Sequence, residues 1–148
     1  MSEIYITSDH HFFHGNIIKY CNRPFNSYQE MNEFMIKKWN EIVKKEDIVI
    51  HLGDFAFRNK ANEIRSKLNG TIILIRGNHD LKISNEDFII IEGNIVIKNL
   101  ILSHRPLETI PEGFKNIHGH IHDKNSFHGI NISVEKTDYK PLNIKTFL

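Results

Sequence analysis

Ten histidines and a single cysteine in 148 residues make an uneven stock of metal-binding side chains, and the histidines cluster. Asp9-His10-His11, Gly53-Asp54, Gly77-Asn78-His79-Asp80, Ser103-His104 and Gly119-His120-Ile121-His122 each follow directly on an apolar run. Together these blocks would pool Asp9, His11, Asp54, Asn78, His79, Asp80, His104, His120 and His122. Carboxylate and amide oxygens with imidazole nitrogens, and no thiolate, suit a borderline-to-hard divalent ion such as Mn, Fe or Zn. One ion cannot use so many ligands. Two ions about 3.5–4 Å apart, sharing one carboxylate, would use them, as in two-metal phosphatases and nucleases.

The apolar runs decide where those blocks lie. Residues 3–8 are rich in β-branched and aromatic side chains and read as a strand ending at Asp9. Ser27 with Glu30 has the form of a capping box, and Met31, Phe34, Met35, Trp39 and Ile42 recur at helical spacing, predicting a helix over 28–44. Residues 47–52 and 71–75 read as buried strands, with a helix at about 60–68 between them that Asn69-Gly70 closes. In the second half, 88–92, 95–97 and 100–102 are strands joined by turn candidates Gly93-Asn94 and Lys98-Asn99, which predicts antiparallel pairing. Short strands near 117, 130–134 and 142–146 complete a mixed α/β sheet system. If the strand ends share one edge, the ligand blocks converge there.

In this order, Asp9-x-His11, Gly53-Asp54, Gly77-Asn78-His79-Asp80, Ser103-His104 and Gly119-His120-x-His122 resemble the signature of calcineurin-like metallophosphoesterases. That resemblance implies a four-layer αββα-type β-sandwich of mixed sheets flanked by helices. It implies that Asp9, His11 and His122 hold one metal, that Asn78, His104 and His120 hold the other, and that Asp54 bridges them. His79 would stand over the substrate as general acid, with Asp80 orienting it. A hydroxide bridging the two metals would attack phosphorus in line.

The residue types suit that role. Two divalent ions bring four positive charges, Asp9 and Asp54 remove two, and Asn78 and neutral imidazoles remove none. The excess acidifies a shared water and attracts a phosphate anion. Taken singly, each block has a plainer use: Asp9 as a helix cap, 77–80 as a tight turn, His120 and His122 as solvated side chains. Those uses would have to coincide at five strand ends. His14 overhangs the first block, and Arg23 and Arg105 offer guanidinium forks for phosphate, so these three are weaker substrate-contact candidates. His10 and His51 belong in the core, His118 and His128 on the surface.

Composition bounds the rest. The length suits one domain, 1–148, and 40% hydrophobic residues suffice for its core. Nineteen basic against eighteen acidic residues leave a net charge of +1, which argues against tight binding of long nucleic acid. One cysteine excludes an internal disulfide framework. Neither a signal peptide nor a membrane-length apolar run is seen, so a cytoplasmic protein is expected. The expectation is a phosphoesterase with two divalent ions, Mn first and Fe, Zn or Ni as alternatives. It would act on a phosphodiester of nucleotide or similar type, with phosphomonoesterase action on the same site as the nearer rival. A protein-interaction scaffold of the same fold, or a nuclease within a larger complex, are readings from other classes. The presence of His79 speaks against the scaffold.

Overall fold

A computed structural model describes residues 2–57, 59–80, 83 and 86–148. In chain order the elements are β1 (Ile4–Thr7), α1 (Gly15–Tyr20), α2 (Tyr28–Ile42), β2 (Ile48–His51), α3 (Ala61–Arg65), β3 (Thr71–Ile75), β4 (Ile89–Ile91), β5 (Ile95–Ile97), β6 (Leu100–Ser103), β7 (Lys115–His118), β8 (Ile130–Asn131) and β9 (Leu142–Asn143). Short 3-10 turns lie on either side of β9, at Val134–Lys136 and Ile144–Phe147.

The N-cap forms as expected, the Ser27 side chain accepting from the Glu30 N–H at 3.2 Å, while the Glu30 carboxylate reaches one residue further back and accepts from the Asn26 N–H at 2.7 Å. Met31, Met35 and Trp39 then face inward, each fully buried. Helix α1 has no counterpart in the sequence reading. Its six residues begin Gly-Asn and bury only Ile17, so no apolar period marks it.

The strands form two mixed sheets flanked by helices. In the first, β1, β2, β3 and β4 are parallel, and β9 pairs antiparallel with β1 on the other side, giving the order β4-β3-β2-β1-β9. The second runs β5-β6-β7-β8. Lys98, with φ 52°, turns the antiparallel β5-β6 hairpin as expected, but β6, β7 and β8 are parallel. The expected antiparallel pairing across Gly93-Asn94 does not occur. There the chain leaves the edge of one sheet, β4, for the edge of the other, β5; within β4, Ile90 packs with the helices and Ile91 between the sheets.

Two apolar layers result. Val49, Ile72 and Leu74 meet Met31, Met35, Trp39 and Ile64 under the helices. Ile6, Ile50, Leu52 and Ile75 meet Leu100, Leu102 and Ile117 between the sheets. On the far face of the second sheet, the Asn116 side chain accepts from the Leu107 N–H, and the His118 ring meets Ser126 Oγ at 2.8 Å. His118 is thus buried rather than at the surface, while His10 and His51 are buried and paired at 2.9 Å. Among the described residues no helix is long and apolar enough to cross a membrane.

Leu102 is fully buried where the sheets face each other. Leu102→Ala should destabilise the protein by roughly 2–5 kcal/mol, read as a lower denaturation midpoint with an unchanged denaturant slope.

Candidate metal centre

Parallel pairing of β1, β2 and β3 delivers Asp9, Asp54 and Asn78 to one edge, and parallel pairing of β6 and β7 delivers His104 and His120 beside them. Among the described residues, Asp9 with His11 and His122, and Asp54 with His104 and His120, each gather potential ligand atoms that all lie within 4.8 Å of one another. Asp54 Oδ2 stands between the groups, 3.5 Å from His11 Nε2 and 3.4 Å from His104 Nε2. Asn78 Oδ1 and His120 Nδ1 approach the same His104 nitrogen at 2.9 and 3.2 Å.

These side chains fit divalent ions. Asp9 Oδ1 and His11 Nε2 are buried without a hydrogen-bond partner, and they lie 3.9 Å apart. Two bonds of roughly 2.0–2.2 Å to a common ion place donor atoms about 2.8–3.6 Å apart, so a closure of a few tenths of an ångström would bring this pair onto one ion. The His104 imidazole is also turned correctly. His104 Nδ1 faces the Leu52 carbonyl at 2.8 Å, which holds the proton there and leaves Nε2 as a ligand.

Local backbone aims the ligands. Asp9, His11, Asp54, His120 and His122 have φ of 61°, 53°, 57°, 72° and 53°, the left-handed region. Each such residue costs on the order of 1–3 kcal/mol unless its surroundings enforce it. A ladder between the first two ligand loops does so, with N–H groups of Asp9 and His11 donating to Gly53 and Asp54 carbonyls at 3.0 and 3.1 Å. Gly119 is required by close approach: a Cβ there would run into the Asp9 carboxylate and Ser8 Oγ.

Charge is concentrated and buried. Burial pushes the His11 imidazole down, but the Asp54 and Asp9 carboxylates more than reverse this and carry it up to about 9. Burial pushes Asp54 up, yet the close imidazoles of His104 and His11 hold it well below the usual carboxylate range.

The other expected residues fall in different places. His79 is exposed, its N–H donating to Asp54 Oδ1 at 2.8 Å and its ring 5.4 Å from that of His11. Among the described residues Asp80 makes no hydrogen bond to that ring. It is fully buried and accepts from the backbone N–H groups of Asp54, Phe55 and Gly77 at 2.6, 2.9 and 2.8 Å, so it locks two ligand loops together. Arg23 is likewise away from the expected cleft, its side chain 0% exposed and its donors directed to Glu135 and to the Asp9 and His10 carbonyls. His14 stacks on Phe57 and meets His11 at 3.4 Å. Arg105 is exposed and lines a cavity of about 570 Å³ together with Asn78 and His104. Glu135, absent from the sequence reading, accepts from His122 Nδ1 at 3.0 Å. Lying between Val134 and Lys136, it carries no local signal of that role.

A family model described as calcineurin-like phosphoesterase matches residues 2–146. An uncharacterized protein of Methanocaldococcus jannaschii is 43% identical over 159 aligned positions, covering 97% of this chain and 88% of its own length. A solved protein of unknown function from Aquifex aeolicus superposes with TM-score 0.77 at 28% identity, covering 99% of this chain and 97% of its own. A Pseudomonas putida nuclease has the same fold at TM-score 0.56 and 21% identity, over 80% of this chain and 61% of its own.

Because the folded protein without metal holds the His11 proton up to about pH 9 against an ordinary value of 6.5, this residue's contribution to stability is complete below pH 6.5 and disappears as pH rises through 9. Chelated protein should therefore melt at progressively lower temperature across that window, and saturating manganese should remove the trend by replacing the proton. A flat melting profile in chelator would contradict it.

Proposed function

The chain belongs to the calcineurin-like phosphoesterase family, and on that premise we propose that it hydrolyses a phosphodiester of nucleotide or similar type at the edge described above. Metal-dependent phosphoester hydrolysis comes with the family; the diester preference and the roles below are our reading. Asp9, His11 and His122 would hold one divalent ion and Asn78, His104 and His120 a second, with Asp54 touching both and manganese the favoured metal. Bound there, such ions supply positive charge to the phosphoryl oxygens and acidify water. One observation carries the reading: the single Asp54 oxygen set 3.5 and 3.4 Å from imidazole nitrogens of the two groups.

The protein's own groups do the rest. His79, anchored through its backbone to Asp54 and otherwise exposed, would protonate the departing oxygen. Arg105 on the cavity wall would grip non-bridging phosphate oxygens with its planar fork. The cavity of about 570 Å³ beside Asn78 and His104 has room for the second substituent of a diester, which supports diester over monoester. A nuclease of the same fold supports a nucleotide-type substrate. In this reading residues 1–148 act as one domain.

Protein stripped with chelator and given Mn, Ni, Zn or Mg in turn should cleave bis(p-nitrophenyl) phosphate faster than p-nitrophenyl phosphate. The reverse order would assign the site to monoesters, and no activity with ions bound would assign it to a scaffold. His79→Ala should lower turnover about 10²–10⁴-fold with metal content unchanged. Loss of an ion in that variant would remove His79 from the acid role.

A further inference from the structure

Arg23 and Glu135 are charged, buried and outside the set of groups that the proposed reaction uses. Their side chains are 0% and 4% exposed, and they meet twice, through Arg23 Nε at 2.9 Å and Nη2 at 2.8 Å from Glu135 Oε2. Each also reaches a ligand segment. Arg23 Nη2 and Nη1 donate to the carbonyls of Asp9 and His10 at 2.7 and 2.6 Å, between the two ligands Asp9 and His11. Glu135 Oε2 faces His122 Nδ1 at 3.0 Å. Asp9 and His11 follow β1 of the first sheet, whereas His122 follows β7 of the second. A single ion pair therefore connects ligand loops from opposite sheets.

His122 depends on that connection. It lies in a stretch without regular structure, with left-handed φ of 53°, and among the described residues its ring meets no backbone carbonyl of the kind that His104 has in Leu52. A carboxylate at Nδ1 keeps the proton there and turns Nε2 towards Asp9 Oδ1, 3.9 Å away. Histidine ligands are tuned in this way by carboxylate partners. Cys21 also lies near His122 and Glu135, but the Arg23 guanidinium already provides the cation beside that carboxylate and opposes a metal ion there.

We propose that the Arg23–Glu135 pair is the positioning device for the Asp9/His11/His122 subsite and selectively sets its affinity for metal. This rests on the two-ion reading given above. Chelator-stripped wild type, Glu135→Ala and Glu135→Gln are titrated with manganese, free ion being read by electron paramagnetic resonance, and fold checked by circular dichroism and melting. In Glu135→Ala one binding step should weaken about 10–100-fold while the other is unchanged. Excess manganese should restore kcat without moving KM for bis(p-nitrophenyl) phosphate. Glu135→Gln, which keeps an acceptor for Nδ1 but not the charge, should show a smaller loss, and it decides alone if the alanine variant does not fold. Wild-type binding in folded variants, or equal weakening of both steps, overturns the positioning role while leaving the metal centre standing. Wild type that takes up no manganese overturns the two-ion reading and this inference with it.

Discussion

Carboxylates and imidazoles gathered in a dry interior are stable only where opposite charge or hydrogen bonds replace the water they lose. Asp54 is the point at which this requirement is most severe. One carboxylate oxygen lies between imidazoles of two groups, the other accepts the His79 N–H, and its own N–H is held by Asp80. Moving Asp54 would disturb both halves of the centre and the loop bearing the proposed acid. Much of the surrounding structure serves to keep it still.

That support is built from backbone contacts as much as from side chains. Asp80 ties the loops after β2 and β3 through three N–H groups, and carbonyl acceptors on Gly53 and Asp54 clamp the loop after β1. The same clamps stabilise the left-handed residues that turn the ligands inwards. Buried Phe12 and Phe55, next to His11 and Asp54, pack the same loops into the core. A small change such as a methyl group at Gly119, which meets both Ser8 and Asp9, acts directly on a ligand.

The two-sheet architecture adds a demand of its own. Ligands arrive from both sheets, so apolar packing of Ile6, Ile50, Leu52 and Ile75 on Leu100, Leu102 and Ile117 sets the distance between the halves only coarsely. Finer alignment falls to polar ties across the gap. His104 on Leu52, the His120 N–H on Asp9 at 2.8 Å, and Glu135 with Arg23 are such ties. Both ends of each are in or beside the centre, which is how a fold with a plain aliphatic interior aligns polar groups drawn from two sheets.

Residue types and spacing by themselves determined the oxygen-and-nitrogen chemistry, the ligand blocks at strand ends, helix α2 with its cap, and most of the strands, because these depend on local period and local donors. Helix α1 escaped since its six residues carry no period, and the pairing of β4 escaped since a short turn signal cannot tell a hairpin from a crossing between sheets. Only tertiary structure decided what Asp80, Arg23 and Glu135 do. An aspartate beside a histidine looks like its partner until backbone N–H groups from another loop claim the carboxylate. An arginine looks like a phosphate clamp until it is buried against a glutamate 112 residues away. Such choices turn on which group arrives within hydrogen-bond distance once the chain has closed, and no local pattern records a contact between segments so far apart.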